Sequence, residues 1–83
     1  MNKLGITLFD CENIFVGWTE HKDYDVISSW IRALSPFEAL KLAKYCITQK
    51  GLEGECAIQE IINFSTDVEC RQRMLGKLNG NRS

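Results

Sequence analysis

Two short runs within the first eighteen positions of the chain alternate between apolar and other residues. In residues 4–8 and again in residues 14–18 every second side chain is apolar, which is the period of a half-buried β-strand. Residues 10–13, Asp-Cys-Glu-Asn, lie between the two runs and are rich in turn-forming residues. The pattern favours a two-stranded β-hairpin. The alternative is a helix that is capped by Asp10 and runs through to Trp18.

Two amphipathic helices follow. The first begins at Asp23, and its apolar stripe is predicted to be buried: Val26, Ile27, Trp30, Ile31 and Leu34. The second begins at Ser35, where Pro36 at the first helical position and Glu38 at the third complete a capping box. We expect it to run to about residue 50 and to stop at Gly51. Its predicted buried face is Ala39, Leu40, Ala43, Cys46 and Ile47.

Two further helices complete the predicted fold. Residues 55–63 carry a wide apolar stripe, and residues 67–78 follow a possible capping box of Thr66 with Glu69. The last helix is predicted to bury Val68, Met74, Leu75 and Leu78. Residues 79–83 are small and polar and are predicted to fray. The sequence thus predicts one α+β domain over residues 1–83, with an N-terminal two-stranded β-hairpin packed on a cluster of about four short helices.

Composition and charge are those of a globular protein. The chain is 45% hydrophobic and 25% charged, with a net charge of −1, which excludes a disordered or collagen-like chain. It has neither a signal-peptide pattern nor the ~20 apolar residues of a membrane span, so we expect a cytoplasmic protein with no membrane partner. The charge is uneven: acids predominate in residues 10–25 and bases in residues 71–83.

The chemistry-bearing residues do not form a recognisable catalytic or metal-binding motif. Cys11, Cys46, Cys56 and Cys70 lack the Cys-x₂₋₄-Cys spacing of a zinc site, and His21 is the only histidine. We predict no enzyme, no metal and no cofactor. The cysteines are predicted to be packing residues, with Cys11, placed in the predicted turn, the most accessible of the four.

The leading functional hypothesis is a non-enzymatic protein-binding module. Such a module binds a larger protein partner as an inhibitor or adaptor. The short length of the chain is compatible with a phage or mobile-element protein that acts on a host defence or regulatory protein. In the predicted hairpin Phe15 faces away from the apolar side chains beside it, and aromatic residues are enriched at interfaces. The candidate interface residues are two aromatics and four acids: Phe15, Trp18, Asp10, Glu12, Asp23 and Asp25.

The alternative hypothesis is a small DNA-binding transcriptional regulator. The predicted helix pair in residues 55–78 has the outline of a helix-turn-helix, and basic side chains follow in its second helix. The candidate nucleic-acid contacts are Arg71, Gln72, Arg73 and Lys77. Acids at the start and bases at the end of a helix also complement its macrodipole, which explains the same pattern without DNA. A homodimer is compatible with either hypothesis.

Overall fold

The fold is built from helices in the part of the chain that the structure describes. The structure is a computed structural model that describes residues 5–82, and its helices are α1 (Leu8–Thr19), α2 (Tyr24–Arg32), α3 (Pro36–Ile62) and α4 (Val68–Arg82). Within residues 5–82 no residue lies in a β-strand. The predicted α+β fold with its N-terminal hairpin is therefore wrong. Leu4, which begins the first predicted strand, lies outside the described residues.

Helix α1 forms because a capping box begins it and a helical stripe continues it. The Thr7 hydroxyl accepts a hydrogen bond from the Asp10 backbone N–H at 3.1 Å, and the Asp10 carboxylate accepts one from the Thr7 N–H at 2.9 Å. Four apolar residues at helical spacing are buried behind this cap: Cys11, Ile14, Phe15 and Trp18. The sequence prediction placed residues 10–13 in a turn, so Cys11 was not counted in that stripe. Without Cys11, the alternation in residues 14–18 resembled a strand.

Helix α2 carries apolar residues on two sides, whereas a single buried stripe was predicted. Ile27 and Ile31 are buried, but Val26 and Trp30 are 53% and 43% exposed. Ser28 is also buried, and its hydroxyl donates a hydrogen bond to the backbone carbonyl of Tyr24. The predicted stripe is too wide for a nine-residue helix that contacts the rest of the protein along one side.

Helix α3 begins at the predicted capping box and bends where the predicted stop lies. Ser35 and Glu38 exchange backbone-to-side-chain hydrogen bonds of 2.9 and 3.2 Å, so the predicted cap is confirmed. At Gly51 the backbone leaves helical geometry, with φ 59° and ψ −132°, a conformation that favours glycine. Helical structure resumes at once, so α3 consists of two arms, residues 36–50 and 52–62, joined by a sharp bend.

The N-terminal cap of helix α4 lies one residue later than predicted. The Asp67 carboxylate, rather than the Thr66 hydroxyl, accepts the hydrogen bond from the Cys70 N–H, at 2.9 Å. The helix extends to Arg82, into the segment that was predicted to fray, and Ser83 lies outside the described residues. Its buried residues are Cys70, Met74 and Leu78, whereas Val68 and Leu75, predicted to be buried, are 67% and 40% exposed.

The helices enclose a common hydrophobic core. Helix α4 packs chiefly against α3, and α1 packs against both α2 and α3. The bend in α3 brings the Gly54 backbone against the carbonyl of Cys46, and the inner faces of both arms contribute to one cluster that includes Leu42, Ile58 and Ile61. No helix formed by the described residues combines the length and apolar character needed to cross a membrane.

Candidate protein-interaction surface

Three aromatic rings meet where α1, α2 and the end of α3 come together. The Trp18 ring lies 4.8 Å from the Tyr24 ring and 5.0 Å from the Phe64 ring between centroids, and both pairs are edge-to-face, with interplanar angles of 70° and 75°. Trp18 is only 2% exposed, whereas Tyr24 and Phe64 are 41% and 38% exposed. A buried indole therefore supports two rings that remain partly open to solvent.

A carboxylate is fixed beside these rings. The Trp18 indole N–H donates a hydrogen bond to Glu60 Oε1 at 3.1 Å, which satisfies the polar atom of a buried aromatic residue. Glu60, Asn63 and the three rings line a surface depression of about 270 Å³. The depression is open to solvent and combines apolar ring surface with an acid and an amide.

Two further depressions adjoin the first one at Glu60. Their volumes are about 330 and 410 Å³, and both include Cys56 in their lining. Leu52, at the edge of one of them, is 80% exposed. Among the residues that the structure describes, no lysine or arginine lines any of the three depressions. We call this region the Glu60 surface and define it by Tyr24, Leu52, Glu53, Glu60, Asn63 and Phe64.

The two carboxylates of the Glu60 surface carry uncompensated charge. The ion pairs among the described residues are Lys50 with Glu12 and Arg73 with Glu69. Among the side chains that the structure describes, in residues 5–80, neither Glu53 nor Glu60 therefore has a cationic partner. The surface is both apolar and negative.

Glu12, a predicted interface residue, makes two side-chain contacts within the fold. It accepts hydrogen bonds from the Lys50 ammonium at 2.9 Å and from the Tyr45 hydroxyl at 2.7 Å, which ties α1 to the first arm of α3. These two hydrogen bonds hold the pKa of Glu12 below its ordinary value, and the hydrogen bond to Glu12 raises the pKa of Tyr45 to about 12. The Lys50 ammonium also lies 5.1 Å from the centre of the Phe15 ring.

The other predicted interface residues are divided among four environments. Phe15 is 4% exposed and lies in the core, because the hairpin that placed it outward is a helix. Asp10 serves the α1 cap, and the backbone hydrogen bond from Thr7 lowers its pKa. Asp23 and Asp25 are exposed at the start of α2, next in sequence to Tyr24. Trp18 alone lines the Glu60 surface, from beneath.

The remaining residues of the Glu60 surface were not identified from the sequence. Glu60 and Asn63 flank the predicted stripe of a central helix, and nothing in their spacing distinguishes them from solvated side chains. The predicted helix bounds leave Leu52 in the connection before residue 55 and Phe64 in the connection before residue 67. An aromatic residue in a short polar turn is the signal that indicates an exposed ring at Phe64.

The predicted nucleic-acid contacts do not share one face of α4. Arg71 and Gln72 are exposed, and Arg73 pairs with Glu69 at 3.2 Å. With about 100° of rotation per helical residue, Arg71 lies about 160° around the helix from Arg73, while Lys77 lies on the Arg73 side. The outward face between the bases carries Val68 and Leu75.

The cysteines are accessible in a different order from the predicted one. Cys11, Cys46 and Cys70 are buried, whereas Cys56 is exposed, so the expectation that Cys11 is the accessible thiol is wrong. Burial raises the pKa of Cys11 to about 11, that of Cys46 to about 12 and that of Cys70 to about 11. In residues 5–82 no cluster of three or more His, Cys, Asp or Glu side chains could hold a metal ion.

Comparison of the chain with protein-family models, with curated proteins and with solved structures finds no match.

Proposed function

We propose that this chain is a non-enzymatic protein-binding module, such as an inhibitor or adaptor, and that the Glu60 surface is where the partner binds. The observation that carries the proposal is the placement of exposed Tyr24, Leu52 and Phe64 around carboxylates that have no cationic partner among the described residues. We further propose that it works in the cytoplasm.

The physical support comes from the composition of protein interfaces. Partly exposed aromatic rings held by a rigid core are typical anchors of binding energy, because burying them removes apolar area at little cost in side-chain entropy. Leu52, 80% exposed, adds apolar area that water covers poorly. The shallow depressions give a partner side chain positions to fill, and the two acids favour a partner with a basic surface.

A DNA-binding role has less support from the same molecule. The bases of α4 are divided between two sides of the helix, and one of them is already paired with Glu69. Exposed Val68 and Leu75 lie where a recognition helix would meet the groove. The Glu60 surface itself is acidic and would repel phosphate.

The proposal is tested by site-specific cross-linking followed by reconstitution. A photo-reactive amino acid at position 52 is compared in the source cells with the same group at position 68, whose valine is 67% exposed on α4. We expect one protein to cross-link at position 52 and not at position 68. With that protein purified, Leu52→Lys is expected to weaken binding at least about tenfold, whereas Val68→Lys leaves it within about twofold. Equal effects of the two substitutions contradict the proposal.

A further inference from the structure

We propose that the depression formed by Trp18, Tyr24, Glu60, Asn63 and Phe64 is a binding site for an arginine side chain of the partner. This inference rests on the proposed protein-binding function and names the chemistry of its central contact. The ligand group proposed for this part of the Glu60 surface is a guanidinium ion.

The rings provide the first half of the recognition. Tyr24 and Phe64 each pack edge-to-face on Trp18, at 4.8 and 5.0 Å, so both are supported and still about two fifths exposed. A cation over an aromatic face is attracted by the ring quadrupole. A guanidinium ion is weakly hydrated and planar, and it stacks on aromatic rings more readily than an ammonium ion does.

Glu60 provides the second half. An ionised carboxylate offers about four acceptor positions, and the Trp18 indole N–H uses one of them, on Oε1 at 3.1 Å. In the described part of the chain no cation pairs with Glu60. The carboxylate is thus oriented by an internal hydrogen bond and retains acceptors for a ligand. Orienting it in advance lowers the entropy cost of binding.

Asn63 favours arginine over lysine. It lines the same depression as Glu60, and its amide contains a carbonyl acceptor. A guanidinium has five N–H donors in one plane, so it can bond a carboxylate and an amide oxygen while its face lies on a ring. A lysine ammonium is a compact, strongly hydrated charge and gains less from such a site. The depression, about 270 Å³, has room for one side-chain head group.

The test uses the two tryptophan indole N–H signals of ¹⁵N-labelled protein. The chain contains two tryptophans; Trp18 lies in the site, and Trp30 is on the outward side of α2. The probe is a blocked Gly-Arg-Gly peptide, and its matched control is the same peptide with citrulline, which has the shape of arginine without its charge. We expect the arginine peptide to shift the Trp18 signal saturably, with a Kd on the order of 1–10 mM for a single side chain, and citrulline to bind at least about tenfold more weakly. Lysine is expected to fall between them.

Two substitutions assign the effect to the depression. Glu60→Gln keeps an acceptor for the Trp18 indole and removes the charge, and it is expected to weaken arginine binding at least about tenfold. Glu53→Gln removes an equal charge from the neighbouring depression and is expected to change Kd less than about twofold. Equal loss in both variants, or equal binding of arginine and citrulline, overturns the inference.

The outcome is separable from that of the proposed function. If the partner binds through position 52 but the arginine peptide does not shift Trp18, the arginine site is wrong and the protein-binding module stands. If the arginine peptide binds but no protein cross-links at position 52, the site exists and the proposed function is wrong.

Discussion

The Trp18 indole nitrogen lies 3.1 Å from Glu60 Oε1 and donates a hydrogen bond to it across 42 positions of the chain. This contact joins the end of α1 to the second arm of α3 and sets the position of both residues in the Glu60 surface. It links the core to the proposed binding site, because the indole is buried and the carboxylate is exposed.

Two substitutions of Glu60 distinguish the contribution of its hydrogen bond with Trp18 from the contribution of its negative charge. Glu60→Ala leaves the indole N–H of a buried ring without its protein acceptor and is expected to lower the free energy of unfolding by about 1–2 kcal/mol. Glu60→Gln retains an acceptor and is expected to cost about 0.5 kcal/mol or less. Urea unfolding monitored by circular dichroism measures both. Equal stability of the two variants would show that the hydrogen bond contributes nothing.

The bend in α3 depends on Gly54 as well as on Gly51. A Cβ added at Gly54 would overlap the backbone carbonyl of Cys46, and a backbone atom cannot move aside as a side chain can. Gly54→Ala is therefore expected to destabilise the protein by about 3 kcal/mol or more. Thermal unfolding measures the loss.

Gly76 supplies the matched control for Gly54. It lies inside α4 with nothing near the position of an added Cβ, so Gly76→Ala is expected to stabilise the protein by about 0.5–1 kcal/mol through helix propensity. A Gly54→Ala variant as stable as Gly76→Ala would mean that the two arms of α3 do not pack at this angle.

Thiol labelling reports directly on the packing of α1. At pH 8 a thiol-reactive dye is expected to label Cys56 at least about tenfold faster than the other three cysteines, because Cys56 alone among the four is exposed. A pKa of about 11 for Cys11 leaves about one thiolate in a thousand at that pH. Cys56→Ala is expected to remove the fast phase. A fast phase that persists and maps to Cys11 would support the turn predicted from the sequence.

Glu12 makes the protein sensitive to acid. Its pKa in the folded chain lies below the ordinary value of 4.5, first because of the hydrogen bond from Lys50 and then because of the one from Tyr45. The unfolded chain therefore takes up the proton first as pH falls, and the stabilising effect of Glu12 is present above pH 4.5 and lost as pH falls through the folded pKa.

Glu12→Gln tests this linkage. Since Glu12 is 36% exposed in its side chain, the pair is screened by solvent, and the variant is expected to be less stable at pH 7 by about 0.5–1 kcal/mol. The difference between wild type and variant is expected to shrink between pH 5 and pH 3 in urea titrations. A difference that stays constant over that range would contradict the assignment.

The sequence predicted a helix boundary correctly where a capping motif was complete and no competing pattern was present. The Ser35, Pro36 and Glu38 cap was recognised because both its hydrogen bonds are local in sequence. The equivalent box at α1 was missed because Asp10, shorter than the usual glutamate, occupies its third position. A five-residue alternation around Val16 then favoured the strand, although Val16 is half-buried on a helix.

The candidate site depends on contacts between distant residues. Trp18, Tyr24 and Phe64 are brought together only when α1, α2 and α3 pack, and the bend at Gly51 directs the second arm of α3 against Trp18. No periodicity in one segment can predict such a meeting. Of the interface candidates predicted from the sequence, Trp18 alone lines this site, and the acid and the other two rings were not predicted.

The central claim is that a protein partner covers the Glu60 surface. The most direct measurement is the NMR footprint of the purified partner on the ¹⁵N-labelled chain. We expect the backbone and indole signals that change to cluster at Trp18, Tyr24 and residues 52–64, with the outward face of α4 around Val68 and Leu75 unchanged. A footprint confined to α4, with the Trp18 indole signal unmoved at saturation, would contradict the account.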